Sequence, residues 1–333
     1  MALLVFTIIE APSYGWTAAR SVAGFAASAA LLAAFIAAER RAAHPMLDVR
    51  IFRDLRFSAA SGAVTVSFFT LFGFIFLITQ YFQFVRGYGP LSTGVRLLPV
   101  ALSVGIGSVA GTQLAVRAGT KLVVTTGLVA VAGFYAWVAA TTSTTLSYGI
   151  IAAQMVVYGL GLGLTSAPAT ESIMGAISRA KAGVGSAIND STRLIGGTLG
   201  VAVIGSVYAS IYGSRLTATT PAAVPAQAAA IAHQSIGAAY AAAGKIAALG
   251  HPALGQALHH ASTNAFLRGL IIGALVAGGV AAAGAVLAVL FLPAQPASPA
   301  PEPAEPAHEP ETHTQPSITA PSPRPATEHR PGP

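Results

Sequence analysis

The sequence has no cysteine, which excludes a disulfide framework and thiol chemistry. Charge is nearly as scarce. Only 9% of residues are charged, where a soluble domain carries about 25%. Carboxylates are the scarcest of all. Between Asp54 and Glu302 the only acidic residues are Glu171 and Asp190. Any proton-linked or cation-linked chemistry on a carboxylate in that span must use one of these two. No glycine-rich nucleotide-binding loop occurs, which excludes ATP-driven transport by this chain. No paired carboxylates and no nucleophile–base set stand where a membrane enzyme would need them, so no catalytic residues are expected. No metal site is expected either, because His259 and His260 adjoin and point to different faces.

What the sequence does have is long apolar runs. Apolar residues make up 54% of the chain, in runs too long for ordinary core helices. This is the composition of an all-α polytopic membrane protein. The net charge of +7 does not point to nucleic acid. The bases lie in short loops between apolar runs, without a clustered basic face interleaved with aromatics.

The central stretch is Lys181 to Gly213. It passes through Asn189-Asp190-Ser191-Thr192-Arg193 and then stays uncharged for about twenty positions, enough to cross a bilayer core as a helix. Gly196, Gly197, Gly200 and Gly205 interrupt it. Such spacing costs helix propensity in water but lets a neighbouring helix approach closely in lipid.

Taken in order, residues 1–9 read as the tail end of a preceding helix. Residues 10–19 read as a short external loop, in which Tyr14 and Trp16 suit a membrane interface. Seven full spans follow, at about 21–38, 58–85, 91–115, 122–140, 146–169, 194–212 and 268–292. Residues 39–56 hold five arginines among apolar residues and suggest an amphipathic segment on the membrane surface. Gly87, Gly89 and Pro90 make a tight turn. Pro168 is expected to break or kink the end of the fifth span, and 170–193 to connect it to the sixth. Residues 214–264 read as a long Ala-rich helical segment, broken at Gly250-His251-Pro252. The final 41 residues hold 13 prolines and should be disordered. The expected divisions are 1–19, 20–57, 58–292 with a long loop at 214–267, and 293–333.

The charges orient these spans. Arg40, Arg41, Arg50, Arg53, Arg56, Arg117, Lys121, Arg179, Lys181 and Arg193 fall on one side. The other side has Arg20, Arg86, Arg96, Arg215, Lys245 and Arg268. Short basic loops face the cytoplasm. The 39–57, 116–121 and 170–193 loops and the C-terminus are therefore expected inside, and 214–267 outside.

Four segments carry a family resemblance: EAPSYGW, HPMLDVRIFRDLRF, LITQYFQFVRGYGPLSTGVRLLP and GVGSAINDSTRLIGGTLGVAVIGSVYAS. In this order, over Met1 to about Leu292, they resemble the C-terminal half of the fourteen-helix drug:proton antiporters of the major facilitator superfamily. The resemblance implies a six-helix transporter half at 58–292, preceded by one transmembrane helix and the end of another. It also implies efflux of drugs or other small amphipathic molecules from the cell across the plasma membrane, driven by a proton gradient and without a cofactor. GTQLAVRAGTK then looks like a degenerate copy of the superfamily's cytoplasmic gating loop, with Gly111, Arg117, Gly119 and Lys121 as its residues. Val116 stands where that signature has its acid. A tight basic turn that only obeys the charge bias reads the same residues equally.

The remaining candidates also admit two readings. Asp190 and Arg193 are three apart, so they form an ion pair on one helix face, or Asp190 caps the helix start, or they serve substrate or proton. Gln80, Gln83, Gln154 and Tyr158 either hydrogen-bond between helices or line a substrate pathway. Glu171 is expected to be solvated at the surface. The expected partners are a small-molecule substrate, membrane lipids, and a missing N-terminal half, a second copy or another permease. Transport by alternating access needs two bundles, so the chain alone is expected not to transport. The competing reading is a truncated, non-transporting membrane protein that associates with another permease.

Overall fold

The computed structural model describes residues 1–42, 49–177 and 182–292. Among them there is no strand. The helices are α1 (Ala2–Tyr14), α2 (Ala19–Arg41), α3 (Leu55–Gln80), α4 (Pro90–Arg96), α5 (Leu98–Ala118), α6 (Thr120–Thr141), α7 (Tyr148–Gly175), α8 (Ala182–Thr219), α9 (Ala226–Gln234), α10 (Ile236–Ala248) and α11 (Pro252–Phe291). A 3-10 turn at Val49–Arg53 precedes α3, and a π-helical turn at Tyr81–Val85 continues it. Seven helical segments are long and apolar enough to cross a membrane, and they coincide with the seven expected spans.

Six of them form one bundle. α5 packs on α7, α3 on α8, and α6 on both α7 and α11, while α8 and α3 also meet α11. Small residues set these contacts. On α5, Gly107 and Gly111 lie four apart, opposite Gly163 of α7. A methyl built on Gly107 would sit 2.7 Å from the Leu160 carbonyl oxygen, and one on Gly163 would sit 2.5 Å from the Ser108 amide. The backbones can come this close only because no side chain separates them. Gly196 and Gly200 do the same for α8, against the Thr65 and Phe69 carbonyls of α3. The core between the helices is aromatic. Tyr158 stacks at 4.6 Å from Phe134 and 4.9 Å from Phe74, and Tyr135 donates a 2.6 Å hydrogen bond to the Thr70 carbonyl.

α2 stands at the edge of the bundle, and among the described residues its main packing is on α1, with a smaller contact to the 3-10 turn. α1 joins the bundle through α8, where the Ser206 hydroxyl donates to the Ile8 carbonyl at 2.5 Å.

Several boundaries differ from the sequence reading. The helix expected to end at residue 9 runs to Tyr14 with Pro12 inside it, and the chain turns at Gly15, φ 94°. Pro168 does not end its helix, since α7 continues to Gly175. Neighbouring helices in a bundle can satisfy the carbonyl that a proline leaves free. The expected 170–193 loop shrinks accordingly, because α8 begins at Ala182. Its glycines and polar residues read as loop, but they lie on a continuous helix packed against α3. The third span is divided at Leu97 into α4 and α5, with Pro99 in the first turn of α5. The amphipathic surface segment lies partly, at 43–48, outside the described residues. Arg179 and Lys181 and the proline-rich tail lie outside them too.

One end of the bundle carries a helical cap. α8 and α11 have 38 and 40 residues, about 57 and 60 Å at 1.5 Å per residue. A bilayer core is about 30 Å thick, so both helices extend beyond it. α10 packs on the projecting part of α11, and α9 on α10. The expected break is at Gly250, φ 92°, but α11 starts directly at Pro252. Residues 252–264 are thus the first turns of the last long helix rather than part of a separate loop. Tyr212 donates to the Ala232 carbonyl at 3.0 Å, and the Tyr240 and Thr263 hydroxyls lie 2.6 Å apart. Proline at N1, with its missing N–H and fixed φ, suits the sharp start of α11.

Candidate functional site

A cavity of about 50 Å³ opens among α3, α6, α7 and α11. Its walls include Phe74, Tyr81, Phe134, Met155 and Leu270, with Gln154 and Thr142 among the polar side chains. Drug-sized sites enclose roughly 300–1,000 Å³. In this conformation the cavity is therefore too small for a drug. Gln154 is buried and donates a 2.8 Å hydrogen bond to the Thr141 hydroxyl of α6. It thus forms the helix–helix bond of one sequence reading and also stands in the wall of the small cavity.

The other three pathway candidates do not join it. Tyr158 is fully buried in the aromatic core behind the cavity. Gln80 turns its amide to the Phe76 carbonyl of its own helix at 3.4 Å. Gln83 is half-buried on the π-turn. That turn is the element sequence reasoning missed. It closes through an Arg86 amide to Tyr81 carbonyl bond of 3.0 Å, and it shifts the side-chain phase of the residues after Tyr81. Tyr81 itself continues the regular face of Phe74, Leu77 and Ile78 into the cavity and donates to the Ser143 carbonyl at 2.8 Å.

Just beyond the π-turn, at the capped end, Arg86 locks the neighbouring loop. Its guanidinium donates to the Thr144 and Leu146 carbonyls at 3.0 Å each and to the Tyr88 hydroxyl at 3.3 Å. That hydrogen bond, with the nearby positive charges, holds the Tyr88 phenol below its ordinary pKa. Arg96 lies 4.0 Å over the Tyr88 ring and 5.7 Å from the Tyr148 ring.

A second polar cluster lies at the opposite, uncapped end, between α3, α7 and α8. Arg193 is half-buried. One terminal nitrogen donates to the Thr170 hydroxyl at 3.2 Å, its guanidinium lies 5.2 Å from the Phe68 ring centroid, and its Nε is buried without a hydrogen bond. Thr170 also reaches the buried Asn189 amide oxygen at 3.4 Å. Asp190 is exposed and has no hydrogen bond or ion pair among the described residues. The expected Asp190–Arg193 pair is therefore not formed. Arg193 folds inward onto an aromatic ring and a hydroxyl, while Asp190 points away. Nor is Asp190 a cap, because α8 begins eight residues before it. Sequence reasoning missed Asn189 and Thr170 as members of this cluster. The signal was only that Asn189 precedes Asp190 on the same run.

The gating-loop candidates are split by the fold. Gly111 is buried in α5 against Leu164 of α7. Arg117 is exposed in the last turn of α5, and Lys121 is half-buried in the first turn of α6. Gly119, φ 87°, alone connects the two helices. A left-handed φ of this size favours glycine, so that position has a backbone reason independent of gating. Nearby, Thr112 of α5 donates to a Glu171 oxygen at 3.1 Å. Glu171 is exposed, as expected, but it also ties α7 to α5.

No family model matches the chain. Among curated proteins it is similar to the tetracenomycin C resistance and export protein of Streptomyces glaucescens, 30% identical over 306 residues, covering 90% of this chain and 56% of that protein. It is likewise similar to the multidrug efflux pump LfrA of Mycolicibacterium smegmatis, 32% identical over 292 residues, covering 87% and 56%. The multidrug resistance protein Stp of Mycobacterium tuberculosis is 33% identical over 223 residues, covering 67% and 41%. The chain thus spans about half the length of the curated relatives it matches. With its seven membrane-length helices, this chain is a homologue of the multidrug and antibiotic efflux proteins of the major facilitator superfamily, corresponding to about half of one.

Proposed function

We propose that this chain is one half of a proton-coupled exporter of drugs or other small amphipathic molecules, working in the plasma membrane with its C-terminus in the cytoplasm. The observation that carries this reading is the likeness to an antibiotic export protein over 90% of the chain. The charge distribution supports the orientation, since among the described residues Arg40, Arg41, Arg50, Arg53, Arg56, Arg117, Lys121 and Arg193 lie at the uncapped end or its loops, as short basic cytoplasmic loops would. The capped end then faces outward.

The second half of the pathway comes from a partner bundle. Leu98, Leu102 and Ile106 of α5 and Leu194 of α8 are exposed on the isolated bundle, and alternating access requires two bundles around one site. The partner is an N-terminal six-helix half, a second copy of this chain or another permease. Closure of the two halves encloses the space that the small cavity beside Gln154 does not provide. Proton coupling falls to Asp190, a carboxylate with no local partner whose protonation breaks no ion pair in the bundle.

The test is transport in liposomes under a proton gradient, with a fluorescent lipophilic cation, using the chain alone and co-assembled with an N-terminal six-helix half. Movement by the pair and none by the chain alone is the expected result. Movement by the chain alone points to a working homodimer, and no movement by either overturns the reading. In the active pair, Asp190→Asn should abolish gradient dependence while leaving protein in the membrane. Unchanged efflux at normal expression removes Asp190 from proton coupling.

A further inference from the structure

At the capped end a cleft of about 400 Å³ lies between α8 and α11, against the end of α6. Arg215 of α8 and Arg268 of α11 both line it. The two arginines are 53 positions apart (268 minus 215) and are brought together by the antiparallel packing of their helices. Phe266 lies against Tyr208 at 5.4 Å just below them.

Neither arginine has a carboxylate to pair with. None lines the cleft, and the sequence has no acidic residue at all between Asp190 and Glu302. Both guanidiniums are exposed, and neither side chain has a hydrogen bond or ion pair among the described residues. The Asn264 amide adds a donor at the rim. The Thr219 and Thr142 hydroxyls are already spent on the Arg215 and Val138 carbonyls. The free donors of the cleft are therefore two planar cationic forks and one amide. Guanidinium forks match the tetrahedral oxygens of a phosphate.

The level of the cleft matters as much as its charge. After Arg193 the next charge on α8 is Arg215, and after Arg268 none occurs through Leu292. The uncharged run of α8 between its two arginines covers about 30 Å, one bilayer core. Arg215 and Arg268 thus sit where the hydrocarbon ends and headgroups begin. Beneath them the cleft is walled by Leu267 and Ile271.

We propose that this cleft binds a phosphate group, with the apolar wall below it making a bilayer phospholipid the natural source. The binding needs no assumption about transport. To test it, the purified full chain in detergent is titrated with dioleoyl phosphatidylglycerol, with the matching diacylglycerol lacking phosphate, and with inorganic phosphate, and lipid retention is read by native mass spectrometry. Each arginine near an anionic headgroup is worth about a factor of five. The R215Q/R268Q double variant should therefore hold phosphatidylglycerol ~30-fold more weakly, and high salt should weaken the wild-type complex. Elution profile and helicity establish that the variant is folded. Displacement of the lipid by inorganic phosphate identifies free phosphate as a second source of the same chemistry. Equal retention by wild type and double variant, or retention of diacylglycerol as tight as of phosphatidylglycerol, overturns the proposal. Should the double variant not fold, salt-insensitive retention by the wild type overturns it instead.

Discussion

α2 and α7 are both apolar enough to cross a bilayer, and both are rich in small residues, yet they are held very differently. Only 11% of the most apolar stretch of α2 is buried, against 50% for α7. α2 is the more apolar of the two, so hydropathy does not set the difference. α7 places Gly159, Gly161 and Gly163 so that consecutive faces meet α5 and α6 backbone to backbone. α2 has many alanines, but its one glycine contact is Gly24 against the Thr7 side chain of α1. Small residues permit close packing. They produce it when the facing helix turns its backbone toward them, as α3 and α5 do, and where no such face exists lipid serves equally well.

The largest effect expected from this contrast is at Gly163. Gly163→Leu drives a side chain into the α5 backbone near Ser108, costing about 3 kcal/mol or more. Monodisperse protein should be lost on size-exclusion chromatography. Full recovery of a well-folded protein would break the contrast. Next comes Gly200→Ala, whose methyl meets the Phe69 carbonyl of α3. It should cost roughly 1–3 kcal/mol and lower the thermal midpoint without abolishing the fold.

Tyr135→Phe removes the 2.6 Å bond to Thr70 and keeps the ring packing. A loss of about 1 kcal/mol is expected in a denaturant titration. The smallest effect belongs to α2. Phe35 is half exposed on a helix whose main packing is on α1, so Phe35→Ala should stay within about 0.5 kcal/mol of wild type. A loss as large as that at Gly200 would mean that α2 is docked on something stronger than lipid.

The existence of seven crossings was legible because each is a local sum of hydropathy along the chain. Their ends were not. Pro168 was expected to break or kink its helix and the polar run around Asn189 read as loop, but α7 runs on to Gly175 and Asn189 lies within α8. The candidate site was legible in part. Gln154 stood out as a lone amide on an apolar helix, and it does line the cavity. Tyr81 did not stand out, because the Ser143 carbonyl that its hydroxyl meets lies 62 positions away in the chain. The Asp190–Arg193 pair was a sound inference from spacing, and it fails because an aromatic ring and Thr170 on neighbouring helices draw the arginine inward.

The sequence by itself determined that this is a helical membrane protein, roughly where it crosses, and that only two carboxylates lie between Asp54 and Glu302. Those conclusions follow from composition and from runs along one chain. The tertiary structure alone decided which glycines meet, which polar groups find partners, and that Arg215 and Arg268 share a cleft. Each of these depends on which face of one helix meets which face of another, and residues far apart in the chain become neighbours only when the bundle closes.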